Sequence, residues 1–270
     1  MNTLPLLTHS ADGVLTLTLN RPAARNALTP ELLCRLADAL QAFAADDSLH
    51  VAVLTGAGEL AFCAGGDLGL TLPLLTGARA PADAWDERVL SDPLVMAASG
   101  LRSWPLAKPV IAAVNGVCVA AGAELLLGTD IRIAAEHARF GWPEVQRAVL
   151  PFAGSMARLP QQVGHAAAMQ LLLTGQAIAA TQALRIGLVN EVLPAAAVLP
   201  RAQALARQIA SNGPLAVQAV KRTVLACSGQ PLDIAFQIED AAWAAVAASE
   251  DAQEGPRAFL EKRAPVWRGR

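Results

Sequence analysis

Apolar residues alternate with threonine over residues 14–19, Val-Leu-Thr-Leu-Thr-Leu, which is the period-two pattern of a strand. Asn20, Arg21 and Pro22 end it. The period then changes, because Leu32, Leu36, Leu40 and Phe43 recur on one helical face. Thr29 as N-cap, Pro30 in the first turn and Glu31 beside the positive end of the dipole predict a helix running to about residue 45. Residues 51–55 form a short β-rich run, and 56–67 read as a glycine-rich loop. Pro73, Pro81, Pro93, Pro105 and Pro109 predict broken helices and loop up to about residue 107.

Lys108-Pro109 introduce a third strand over 110–114, followed by an Asn115-Gly116 turn and a helix ending near Gly128. Strands at 131–134 and 138–140 come next. From His165 onward the chain reads as helices punctuated by glycine and proline, with one short strand at 188–192. The class is therefore α/β early and helical late. Pro200 is the softest boundary, dividing a core over 1–200 from a helical region over 201–270. Residues 110–128 are apolar for about the thickness of a bilayer, but they contain Asn115 and Glu124. A carboxylate in hydrocarbon is expensive, so a strand and a helix buried in protein fit better than a membrane span.

Composition narrows the function classes. Of 270 residues, 54% are hydrophobic and 16% charged, which excludes a disordered chain or a coiled coil. The net charge of −2 gives no general attraction to nucleic acid or to an anionic membrane, so an anionic ligand has to be held by a few placed groups. Cys34, Cys63, Cys118 and Cys227 are too scattered for a disulfide framework or a metal clasp. Residues 1–13 place no basic residue before an apolar run, so no secretory signal is read and a cytoplasmic location is expected. Gly56-Ala57-Gly58-Glu59-Leu60-Ala61 spells a dinucleotide-like string, but Phe62 to Asp67 continue as a second turn where that fingerprint needs a helix. There is no Gly-x-Ser-x-Gly elbow, the four histidines have no motif partner, and no metal site is expected.

What remains are two glycine-rich loops and two glutamates. Residues 61–68, Ala-Phe-Cys-Ala-Gly-Gly-Asp-Leu, and residues 108–130 closely resemble the enoyl-CoA hydratase/isomerase (crotonase) family. The resemblance continues through 19–22, 140–144, 171–175, 183–190 and 258–263, in order along nearly the whole chain. It implies a crotonase-like spiral of repeated ββα units and a C-terminal helical trimerisation region, giving a homotrimer or homohexamer. It also implies an acyl-CoA thioester substrate and no separate cofactor, coenzyme A being part of the substrate.

The site residues follow from the same resemblance. Backbone N–H groups of Ala64 and Ala121 would stabilise the thioester oxyanion, the latter at the start of a helix. Glu124 would activate water and Glu144 would protonate the α-carbon. Ala64, Gly65, Gly66, Asp67, Ala121 and Arg25 would bind acyl-CoA. Phe259 and Lys262, three apart on one helical face, would meet the adenine and phosphate end. Without the resemblance, the glutamates read better as first-turn acids that complement a helix dipole, and Phe259 and Lys262 better as a packed ring beside a surface cation. The expected reaction is hydration of a trans-2-enoyl-CoA to a 3-hydroxyacyl-CoA. The alternatives are an isomerase of the same fold working with one carboxylate, or a non-catalytic binding protein. Two departures from the family pattern bear on substrate choice. Ala120-Ala121 stand where glycines are usual, and the interval from Asp67 to Lys108 is long.

Overall fold

The computed structural model describes residues 4–104 and 106–270; Pro105, one of the five prolines named above, lies outside them. In chain order the elements are β1 (Leu6–Ala11), β2 (Val14–Leu19), α1 (Pro30–Ala45), β3 (Val51–Gly56), β4 (Ala61–Cys63), α2 (Thr71–Leu75), α3 (Ala84–Ser91) and α4 (Pro93–Ser99). Then come β5 (Val110–Val114), β6 (Val117–Val119), α5 (Ala121–Leu127), β7 (Ile131–Ala135), β8 (Arg139–Gly141), α6 (Ser155–Val163), α7 (His165–Thr174), β9 (Ile178–Ala179), α8 (Ala180–Arg185) and β10 (Glu191–Leu193). The chain closes with α9 (Ala195–Ala210), α10 (Pro214–Cys227), α11 (Leu232–Ala247) and α12 (Glu250–Leu260).

The strands form a large sheet in the order β1-β2-β3-β5-β7-β10 and a small one in the order β4-β6-β8-β9. β1 and β2 are an antiparallel hairpin, and β2, β3, β5, β7 and β10 then run parallel. Each of β3, β5 and β7 lies in the large sheet and passes the chain to β4, β6 or β8 in the small one before helices follow. That is a repeated ββα turn. Strands buried on both faces need apolar residues throughout, as in Val51–Gly56 and Val110–Val114, where every position is buried.

The expected helix over 30–45 is α1, and the Thr29 side chain caps it by accepting from the Leu32 N–H at 3.3 Å. The apolar run over 110–128 divides into β5, β6 and α5 within the core, and among the described residues no helix is long and apolar enough to cross a membrane. Four readings need correction. The stretch 56–67 is not all loop, because β4 runs through it beside β6. β6 itself intervenes between the Asn115-Gly116 turn and the helix, and the strand expected at 188–192 is β10, placed later. The three-residue β4 and β6 offer too little periodicity of their own to be seen in sequence. Finally, residue 200 lies inside α9, which packs across β2, β3, β5 and β7 and buries Val198, Ala202 and Ala206. A proline in the first two turns of a helix does not mark a break in the core.

Candidate active site

The two loops singled out in the sequence meet between the sheets. Gly65 adopts φ +97°, and a Cβ there would collide with the Ala120 methyl group and approach the Ala121 nitrogen. Only glycine allows the 64–66 loop to lie this close to the start of α5. Ala120 itself takes φ 51°, ψ −132°, a left-handed conformation that disfavours a Cβ. The methyl group that replaces a glycine on one loop is thus accommodated by the glycine on the other. Asn26, fully buried, joins the pieces: its amide donates to the Ala57 and Ala61 carbonyls at 3.0 and 2.8 Å, and its oxygen accepts from the Arg21 N–H.

Beside this junction is a chamber of about 610 Å³. Ala64, Gly66, Ala120, Ala121, Glu124 and Glu144 line it at one end, and Leu33, Leu72, Leu75, Met96, Val149 and Leu150 supply apolar wall. The long interval after Asp67 contributes α2 and α4 to that wall, so the broken helices expected there shape the cavity.

The oxyanion donors need one correction. The Ala64 N–H already donates to the Arg25 carbonyl at 3.0 Å, so it is engaged in holding the loop. Gly66 also lines the chamber, and its N–H has no acceptor among the described residues. Ala121, at the first position of α5, likewise has an N–H that intrahelical bonding leaves free. The pair of amides available to a ligand is therefore Gly66 and Ala121. The sequence could have shown this only through loop register: in a parallel bridge with Leu28, Gly65 and Asp67 spend their polar groups on Leu28 while Gly66 faces away.

Glu124 and Glu144 do come together. Glu124, 2% exposed, rises from the first turn of α5, and its Oε1 accepts from the Ala153 N–H at 2.8 Å and the Ser155 N–H at 3.4 Å. Ser155 is held in turn by Trp142, whose indole N–H donates to its hydroxyl at 2.7 Å. Burial pushes the Glu124 carboxyl up to about 7; the charge of Glu144 adds to the rise, and the Ser155 and Ala153 donors oppose it. Glu144 follows Pro143 in a single 3-10 turn, and its Oε2 is buried with no hydrogen-bond partner. Burial raises its pKa also, against the pull of Arg147. Two carboxyl groups buried together do not readily ionise at once, and the N–H donors at Glu124 oppose, without cancelling, the rise that burial gives it.

The other expected ligand residues are elsewhere. Asp67 does not line the chamber: its Oδ2 pairs with Arg21 at 3.1 Å and its Oδ1 accepts from the Gly69 and Leu70 N–H groups, so it fixes the turn into α2. Gly65 is buried beneath the lining. Arg25 is exposed and takes φ 51°. Phe259, 83% exposed, and Lys262 do not line the chamber. Nor do they share a helical face, because α12 stops at Leu260 and Lys262 sits in a left-handed turn at φ 54°. Gly56 to Leu60 lead into β4 rather than a helix, which leaves the dinucleotide string without its structural context. Cys63 is a buried thiol pushed up to about 12 by desolvation, a packing residue and not a nucleophile.

Stacked ββα turns thus enclose two buried carboxyl groups and two free backbone amides around one apolar chamber. The enoyl-CoA hydratase/isomerase family model matches residues 9–270, and the chain belongs to that family. It is 41% identical over 256 residues to enoyl-CoA hydratase EchA19 of Mycobacterium tuberculosis, covering 95% of this chain and 93% of that protein. It is 40% identical over 265 residues to 2,3-dehydroadipyl-CoA hydratase of Escherichia coli, covering 98% and 99%. Among solved structures, an enoyl-CoA hydratase from Bacillus anthracis superposes with a TM-score of 0.88 at 35% identity, over 98% of this chain and 100% of the other.

Proposed function

We propose that the protein is an enoyl-CoA hydratase, adding water across the double bond of a trans-2-enoyl-CoA to give a 3-hydroxyacyl-CoA. The observation that carries this reading is the pairing of Glu124 and Glu144 in one apolar chamber beside two free amides. The thioester oxygen accepts the Gly66 and Ala121 N–H groups, which stabilise the negative charge that develops as the enolate forms. Glu124, oriented by Ala153 and Ser155, takes a proton from water as its oxygen attacks the β-carbon. Glu144, whose Oε2 has no protein partner, delivers a proton to the α-carbon. Both groups act from one side, so the water's oxygen and hydrogen arrive on the same face. The apolar walls from α2 and α4 hold the acyl chain. The family relationship supports a CoA thioester, and the exposed apolar faces of α10 and α11 support a homotrimer or a pair of trimers.

Mass spectrometry of products from a panel of enoyl-CoA thioesters tests the reaction. Glu124→Gln and Glu144→Gln should each lower hydration at least about a hundredfold while CoA-thioester binding survives. Hydration retained in Glu124→Gln, together with double-bond migration abolished in Glu144→Gln, would replace hydratase by isomerase.

A further inference from the structure

The N–H group that holds Glu124 belongs to the Phe152–Ala153 peptide, and the carbonyl of that same peptide is engaged from the other side. Arg102 Nη1 donates to the Phe152 oxygen at 2.5 Å, while the Ala153 N–H donates to Glu124 Oε1 at 2.8 Å. A cation, a peptide and a carboxyl group are therefore connected in line through two hydrogen bonds. Hydrogen bonds in series polarise one another, and a charged donor on the carbonyl makes the N–H at the other end a better donor.

The turn presenting Arg102 is built for this contact. Leu101 and Ser103, on either side of it, both take left-handed conformations, at φ 47° and 57°, though neither is glycine. Such strain persists where the surroundings over-determine the backbone. Here the Arg102 N–H donates to the Ala97 carbonyl at 2.8 Å, and Arg158 donates to the Gly100 and Leu101 carbonyls, both at 2.6 Å. Gly100 packs so closely on the Ala153 carbonyl that a Cβ there would collide with it. The next residue after Ala153, Gly154, has φ +123°, so the peptide sits beside a flexible pivot and needs external fixing.

We propose that Arg102 is a positioning residue for the reaction: by holding the Phe152 carbonyl it fixes the Phe152–Ala153 peptide so that its N–H is aimed at Glu124. This rests on the hydratase reading for its catalytic meaning, but the contact itself does not. Among the groups about Glu124, Glu144 supplies the facing charge and Arg147, on the turn that carries Glu144, lines the same chamber; α4 and the remainder of α5 carry no charged side chain, Cys118 on β6 is a buried thiol, and Arg158 of α6 is turned to the 100–101 carbonyls. Arg102 acts through the peptide.

The test compares Arg102→Gln and Arg102→Lys in the full chain by two readouts. The first is the infrared titration of the Glu124 carboxyl, identified by its loss in Glu124→Gln; the second is the pH profile of kcat/KM with trans-2-hexenoyl-CoA. Weakening a bond to the ionised form raises a carboxyl pKa, so Arg102→Gln should move the Glu124 midpoint upward by roughly half to one pH unit. The rising limb of the rate profile should move with it. Arg102→Lys, which restores a cationic donor, should return both toward the wild type. Arg102 is exposed on a surface turn, so neither change opens a cavity. A midpoint unchanged in Arg102→Gln overturns the proposal, as does an equal rise in Arg102→Lys. If the wild type hydrates no enoyl thioester but the infrared midpoint still moves, the hydratase reading fails and the positioning contact stands.

Discussion

The spiral and the C-terminal helices differ in where their bulkiest apolar residues go. In the spiral, Trp142, Phe43, Phe62 and Phe140 are fully buried, and α1 inserts Leu32, Leu36, Leu40 and Phe43 beneath the sheet. In α10 the buried residue is Ala219 and in α11 Ala235, while Val220, Val224, Leu225, Phe236 and Trp243 face outward. Both regions are rich in apolar residues, so composition alone does not separate them. The spiral buries Trp142 and three phenylalanines within one chain, while Leu68, Leu150, Phe152 and Leu173 stay exposed on it. The later helices pack on each other through small residues and leave an apolar face available, the pattern expected where a second copy completes the burial.

The contrast is sharpest between two tryptophans. Trp142→Ala should cost on the order of 3–5 kcal/mol, since it empties a packed site and also frees Ser155, which holds Glu124. Denaturant unfolding measures it, and a loss below about 1 kcal/mol would mean that the spiral core is looser than its burial indicates.

Within the spiral, Ala121→Pro separates the site from the scaffold. Proline is tolerated at the first position of a helix, so the fold should persist, whereas removal of one of two oxyanion donors should cost about 3 kcal/mol of transition-state stabilisation. Steady-state kinetics on a folded variant checks this. Normal turnover would remove Ala121 from the donor pair and leave Gly66.

Glu124→Gln should make the protein more stable at alkaline pH even as it loses activity. The folded state holds the Glu124 proton more tightly than the unfolded chain, with a pKa of about 7 against an ordinary 4.5. Its favourable contribution is complete below the unfolded value and is lost as pH rises through the folded one. Glutamine has no such loss, so its advantage should reach at most about 3 kcal/mol above pH ~8 and disappear below pH ~4.5. Unfolding curves across that window decide it; an advantage that does not depend on pH would mean that Glu124 is not held protonated by burial.

The smallest effect on the chain itself belongs to Trp243→Ala. With 72% of that residue exposed, unfolding of the isolated chain should change by less than about 0.5 kcal/mol. For the proposed homo-oligomer, light scattering should instead show dissociation at higher protein concentration than in the wild type. A loss of several kcal/mol at unchanged mass would show that the α11 face is satisfied within one chain, and the contrast between the two regions would vanish.

Much of the fold is legible from neighbouring residues alone. The Thr29-Pro30-Glu31 start of α1 and the strands at 14–19, 51–55 and 110–114 follow from local rules: residue period, capping and loop chemistry act over a few neighbours, and sequence displays neighbours; both glutamates stand out only through the family resemblance. β4, β6 and β9, with three residues or fewer, escape such rules, because strands this short exist through their partners rather than through their own pattern. The division of roles among neighbouring amides is hidden for the same reason. Ala64 and Gly66 are two residues apart in one loop, and only the pairing with Leu28 and the approach of Arg25 decide which N–H is engaged and which is free. Sequence places Glu124 and Glu144 at the starts of two helical turns; the tertiary fold buries them together, and burial changes two ordinary acids into groups that hold a proton more tightly than exposed ones, Glu124 near neutrality. The chemical types are set by the chain, but desolvation and mutual approach depend on residues far apart in it, so only packing could decide them.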